Sequence, residues 1–500
     1  MTGASNYPPI ISVSLRGIGN TGCLVTLCLG LLVLFIGYPV ITFYGKTVLS
    51  TNNLGSFNAS GQVPQITGNH GLIDIDTPQS AYTKLSWEDG TTEMQLVFSD
   101  EFNTEGRSFY PGDDPYWEAV DLHYWGTGDL EWYDPEAVTT ANGSLVITIS
   151  QKQTHGLNYE GGQNKFCFTG GLIETSVQLP GANNVLGFWP AIWTMGNLGR
   201  VGYGASLEGL AMISLYYCQW PYTYDSCDVG TVANQTVNGI PVAATVNGDQ
   251  GDGGALSYLP GQRLSRCTCP GESHPGPKHS DGTFVGRSAP EIDIFEAQIQ
   301  RSPIIPEVSQ SAQWAPFDAG YAWFNTSDNM IIANPRISKQ NPFVGSVTQQ
   351  ATSVVTKTDS HCYELAEGCY SLYGFEYIMW ISNNMTAWTL KSPGLGPDPT
   401  VEISPRPVAQ EPMYIIANLG MSRGFTYVDL AHLTFPSRMM IDYIRVYQPK
   451  KSFNIGCNPI DFPTENYINS YIEAYTNPNL TTWVHDYQQE WPKNSFLGQC

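Results

Sequence analysis

Three carboxylates share one short apolar segment, Glu291-Ile292-Asp293-Ile294-Phe295-Glu296. A strand sends successive side chains to opposite faces, so Glu291 and Asp293 point one way while Ile292 and Ile294 point the other. Glu296 breaks that parity. An extra residue, a β-bulge near Phe295, returns it to the face of the first two carboxylates. The segment therefore calls for a strand with one buried apolar face and three convergent acids. Glycoside hydrolysis uses two carboxyl groups flanking the scissile bond, about 5 to 5.5 Å apart when one acts as nucleophile. Glu291 and Glu296 can fill those places, with Asp293 between them to tune protonation. A solvated acidic edge strand satisfies the same spacing in a chain with 45 acidic residues. The apolar fillers argue against it.

About a hundred residues upstream lies Gly187-Phe188-Trp189-Pro190-Ala191-Ile192-Trp193-Thr194-Met195-Gly196. Indole faces stack on sugar rings, and Trp189 and Trp193 near paired carboxylates suit a polysaccharide cleft. Two core tryptophans in a strand are the alternative. Together the two segments resemble glycoside hydrolase family 16, the laminarinase-like enzymes. The resemblance implies a concanavalin A-like β-jelly-roll in which Glu291 is nucleophile, Asp293 its helper and Glu296 the acid/base. It extends to Ser99-Asp100-Glu101-Phe102-Asn103, Asp129-Leu130-Glu131-Trp132-Tyr133 and Asn142 to Thr148, which look like the family's opening strands. Pro412 to Leu419 and Ile441 to Gln448 look like its closing strands.

A closer resemblance is to the fungal membrane-anchored branch associated with β-glucan synthesis in the cell wall. It is carried by Gly196 to Arg200, Trp220 to Asp228, Leu256 to Arg263, Cys267-Thr268-Cys269-Pro270, Gly456 to Pro459 and Tyr475 to Leu480. For this branch the resemblance implies a role in making or remodelling β-1,6-glucan. The cell-wall synthesis machinery is then a candidate partner.

A net charge of −22 repels nucleic acid and anionic lipid, so neither is an expected partner. Twelve per cent aromatic residues, 50 Gly and 34 Pro favour many short strands and elaborate loops. Residues 93–448 are expected to form one all-β sandwich with loop insertions, and 449–500 a cysteine-containing extension packed on it. Residues 45–92 read as a Gly/Ser/Thr/Asn-rich stalk ending in a first short β segment. Gly22 to Tyr44 carries no charge. About 20 apolar residues span a bilayer, so 21–44 is expected to be a transmembrane signal anchor behind a short cytosolic tail, 1–20. No phosphate loop, nucleotide fingerprint or His-rich site is present; no cofactor and no metal are expected, and His361 reads as structural.

Arg16 and Lys46 flank the span and leave its orientation open. Sequons begin at Asn58, Asn142, Asn234, Asn325, Asn384 and Asn479, all beyond it. So do Cys167, Cys218, Cys227, Cys267, Cys269, Cys362, Cys369, Cys457 and Cys500 lie beyond it. A secretory lumen would pair most of them, in a connectivity that spacing does not reveal; zinc is the alternative for the close pairs. The orientation that fits is type II, with the catalytic part lumenal or extracellular, in endoplasmic reticulum, Golgi or plasma membrane. Leu210 to Gln219 departs from the branch pattern, is apolar, and supplies the odd ninth cysteine; intronic sequence read in frame is one explanation.

The expected chemistry is retaining double displacement on a β-glucan polysaccharide or oligosaccharide, with water as acceptor for hydrolysis or a sugar hydroxyl for transglycosylation. A non-catalytic glucan-binding lectin and a scaffold for glucan synthase assembly are the rival classes.

Overall fold

Alternation of buried and outward side chains makes this chain a β protein. Along strand Ser437–Pro449, Met439, Ile441, Ile444 and Val446 are fully buried, and a register shift between Ile441 and Tyr443 keeps Ile444 on the inner face. The computed structural model describes residues 20, 24–29, 31, 71–124, 127–153, 165–200, 223–232, 235–246, 263–314, 323–346, 349–477, 479–480 and 486–500.

Two antiparallel sheets face each other. The ten-stranded sheet runs in the order Thr83–Leu85, Glu93–Asp100, Ser437–Pro449, Leu172–Gln178, Ser371–Glu376, Met379–Ser382, Met385–Leu390 and Met330–Ile332. The hairpin Val138–Ala141 and Ser144–Ile149 pairs onto Ser437–Pro449. The seven-stranded sheet runs Ser338–Gln340, Gln349–Lys357, Ile304–Gln313, Glu291–Arg301, Trp189–Gly196 and Met413–Gly420, with Gly345–Ser346 attached to Gln349–Lys357. Between them lies one continuous core, to which the first sheet gives Phe98, Ile173, Val177 and Ile441 and the second gives Ile192, Ile292, Phe295 and Val308. This is the expected all-β sandwich.

Strand Thr83–Leu85 pairs with Glu93–Gln95, and Ser99 N–H donates to the Leu72 carbonyl, so the stretch from 71 to 92 is stitched to the sandwich. Within residues 449–500 two short helices form, Glu465–Ser470 and Ile472–Thr476, whose Tyr467 and Tyr475 pack on Leu198 and Leu264. Eight of the nine cysteines beyond the apolar span pair as Cys167–Cys457, Cys227–Cys267, Cys269–Cys500 and Cys362–Cys369. The close pairs Cys267/Cys269 and Cys362/Cys369 are thus disulfide sulfurs. Cys218 and the segment Leu210 to Gln219 lie outside the described residues.

Of the expected opening strands, Asp129 to Tyr133 is not one. It is held by isolated bridges, Leu122 to Tyr133 and Asp129 to Ser422, because its acidic side chains turn into a cavity instead of lying on a ladder. Among the described residues no helix is long and apolar enough to cross a membrane. Most of the expected anchor, the tail before Asn20 and residues 45–70 lie outside the described residues.

Candidate active site

Strand Glu291–Arg301 lies between Trp189–Gly196 and Ile304–Gln313. Asp293 pairs with Ser311 and Glu296 with Ser309, so Ile294 and Phe295 together oppose the single residue Gln310. That is the bulge that parity demanded. It sends Ile292, Ile294 and Phe295 into the core, while Glu291, Asp293 and Glu296 line one cavity of about 650 Å³.

A bulge strips carbonyls of their ladder partners, and buried carbonyls need replacements. Here they come from side chains. The Trp380 indole N–H, reaching from the opposite sheet, donates to the Asp293 carbonyl at 2.9 Å. The Gln310 amide donates to the Ile294 carbonyl at 3.0 Å and to the Ile381 carbonyl of the opposite sheet at 2.9 Å. The kink that aims Glu296 is therefore bolted through the core.

Asp293 is 2% exposed and accepts from the Ser311 hydroxyl at 2.6 Å. Glu296 accepts from the Trp189 indole N–H at 3.0 Å. Glu291 and Asp293 are hydrogen-bonded to each other, and Glu291 Oε2 has no partner. Burial pushes all three carboxyls up. Glu291 stands well above the usual range, through burial and then repulsion from Asp293 and Glu296. Asp293 is pushed up to about 7 by burial, against the Ser311 and Glu291 hydrogen bonds. Glu296 is raised well above its usual value by burial and by Asp293, with Trp189 and Ser311 pulling the other way. Such a trio shares protons instead of ionising fully.

Another wall of the cavity carries a second acidic pair. Asp129 accepts from Thr127 at 2.6 Å and from the Tyr133 hydroxyl at 2.9 Å, and Glu131 accepts from the Met421 backbone N–H at 2.9 Å. Burial, then Asp129, pushes Glu131 up to about 8. The strand above must be bare. A Cβ on Gly420 would lie 2.7 Å from Glu131 Oε1 and 2.9 Å from the Tyr133 hydroxyl. Asn418 joins the two walls, donating to Tyr133 at 3.3 Å and accepting from the Trp193 indole N–H at 2.9 Å.

Trp189 and Trp193 are both half-buried and both line the cavity. Neither is free to reorient, since each indole N–H is held. One face of Trp189 is covered by the Phe425 ring, centroids 4.2 Å apart and planes 5° from parallel, which leaves only the other face to border the cavity. Asp129, Glu131 and Ser311 were not singled out from sequence as site residues. For the first two, the Asp-x-Glu spacing was the one signal. Of the sequon asparagines, Asn142, Asn325, Asn384 and Asn479 are exposed, and Asn58 and Asn234 lie outside the described residues. His361 is exposed and pairs with Glu367.

Known proteins similar to this chain include synthesis-associated relatives and glucanase structures. The chain is 41% identical over 498 residues to "Beta-glucan synthesis-associated protein KRE6" of Saccharomyces cerevisiae, covering 96% of this chain and 64% of that protein. It is 42% identical over 485 residues to "Beta-glucan synthesis-associated protein SKN1" of Candida albicans, covering 93% and 60%. It thus spans between 60% and 64% of the length of four such synthesis-associated relatives, KRE6 and SKN1 of Saccharomyces cerevisiae and of Candida albicans. Among solved structures it is similar to LamAcat from Zobellia galactanivorans, at 19% identity, 73% of this chain, 100% of that one and a TM-score of 0.35. It is also similar to the catalytic domain of an endo-1,3-beta-glucanase (laminarinase) from Thermotoga petrophila, at 20% identity, 72%, 100% and 0.37. The family described as Beta-glucan synthesis-associated protein SKN1/KRE6/Sbg1 matches residues 6–500, and with relatives this similar over nearly its whole length, the chain belongs to that family.

Proposed function

We propose that the chain is a retaining β-glucan hydrolase or transglycosylase acting in cell-wall β-glucan biosynthesis and remodelling, with β-1,6-glucan as the product it serves. The observation that carries this reading is the convergence of Glu291, Asp293 and Glu296 on one side of a bulged strand, in a cavity flanked by two held indoles.

In this mechanism Glu291 attacks the anomeric carbon while Glu296 gives its proton to the leaving oxygen. Burial supports a protonated Glu296. Glu291 must be anionic, and since their hydrogen bond raises Glu291 and lowers Asp293, the proton the two share has to pass from Glu291 to Asp293 before attack. The glycosyl-enzyme is then released by an acceptor that Glu296 deprotonates, water for hydrolysis or a sugar hydroxyl for transfer. Four disulfides and exposed sequon asparagines at 142, 325, 384 and 479 support a lumenal or extracellular site, behind an anchor in 21–44.

The test is product analysis by mass spectrometry after incubating the full chain with defined β-1,3- and β-1,6-gluco-oligosaccharides, beside Glu291→Gln. Products longer than the substrate, absent from the variant, identify a transglycosylase; shorter products alone identify a hydrolase. A folded, glycan-binding protein that yields neither overturns the reading in favour of a lectin or scaffold.

A further inference from the structure

Three contacts place the Trp189 side chain. Its indole N–H donates to Glu296 Oε1, one ring face lies flat against Phe425, and the rest borders the cavity. Phe425 itself does not line the cavity. It is half-buried, on the turn that follows strand Met413–Gly420, and that turn is held in place from the wall carrying the second acidic pair. Leu130 N–H donates to the Met421 carbonyl at 2.9 Å, Asp129 forms a β-bridge with Ser422, and the Ser422 hydroxyl donates to the Thr127 carbonyl. Thr426 N–H then closes the turn onto the Ser422 carbonyl at 3.1 Å.

We propose that Phe425 is a positioning residue for Glu296, holding the Trp189 indole so that its N–H stays on the Glu296 carboxyl. The inference rests on reading Glu296 as the acid/base. A flat ring contact fixes the plane of the indole, and with one face covered and the N–H engaged, Trp189 has one arrangement in which both contacts are made. The carboxyl it serves also faces Asp293 and Glu291 on its own strand and the Ser311 hydroxyl on strand Ile304–Gln313. An N–H bond to a carboxylate favours the charged form, so Trp189 offsets part of the burial that raises Glu296. Loosening Trp189 therefore moves the Glu296 titration upward.

The test needs no substrate. The full chain is labelled with ¹⁵N at its tryptophan indoles, the Trp189 signal is assigned by its loss in Trp189→Phe, and its position is followed against pH. In the wild type the signal follows the proton step of the carboxyl trio in which Glu296 takes part. In Phe425→Ala, or Phe425→Leu if the alanine variant does not fold, the midpoint is expected to rise by about half a unit or more, while Phe425→Tyr keeps it. A midpoint unchanged in folded Ala or Leu variants, or a wild-type signal that does not titrate, overturns the proposal. Where glucan cleavage is measurable, the alkaline limb of kcat/KM moves the same way in Phe425→Leu, and adding that change to Trp189→Phe moves it no further. A raised midpoint in a chain that cleaves no glucan supports the positioning contact and counts only against the catalytic reading.

Discussion

Glu131 has little room to be charged. It is buried beside Asp129 and beneath Gly420, and its carboxyl is pushed up to about 8 from an ordinary 4.5. Between those two values the folded protein holds a proton that the unfolded chain has released, so stability falls as pH rises through that window. Glu131→Gln keeps an acceptor for the Met421 N–H and removes the charge. It is expected to leave stability at pH 4 unchanged and to raise it at pH 8.5 by on the order of 2 kcal/mol, read from thermal melts at both pH values. Parallel wild-type and variant profiles would count against this. Gly420→Ala is expected to cost about 1 to 3 kcal/mol in urea unfolding, because the new methyl meets Glu131 and Tyr133. The three strand carboxylates were legible in the sequence because alternation fixes their faces. Asp129 and Glu131 were not, since their segment is no strand and alternation had nothing to act on. Nor was the covered face of Trp189, which depends on a ring from a distant turn.

The bulge is the element on which the site depends. Parity located it near Phe295, and the closing strands read at Pro412 to Leu419 and Ile441 to Gln448 coincide with Met413–Gly420 and Ser437–Pro449 to within a residue or lie inside them. What holds the bulge could not be read, because Gln310 and Trp380 are neighbours only once both sheets have formed. Gln310→Leu removes the donor from the Ile294 and Ile381 carbonyls and leaves both buried. A loss of about 2 to 4 kcal/mol is expected in urea unfolding, together with a fall in any glucan-processing rate. A variant as stable as the wild type would show that the bulge is held without Gln310, by its ladder and Trp380.

At the scale of the molecule, the cysteines were legible as a disulfide set but not as a connectivity, because partners such as Cys167 and Cys457 meet only through the folded sandwich. Cys167–Cys457 joins residues 290 apart in sequence, Cys362–Cys369 residues 7 apart. Loop-closure entropy makes the longer link worth about 3 kcal/mol more, so replacing both cysteines of the first pair by serine is expected to lower guanidinium stability further than the same change in the second. Equal losses would contradict that account. Strand Ser437–Pro449 raises a different matter. It lies between Glu93–Asp100 and Leu172–Gln178 and also pairs with Ser144–Ile149, so strands made early wait for one made late. During synthesis on the ribosome the larger sheet stays open until residue 449 has emerged, and a transcript truncated anywhere before codon 437 yields a chain with exposed strand edges, prone to aggregation and a natural client for chaperones.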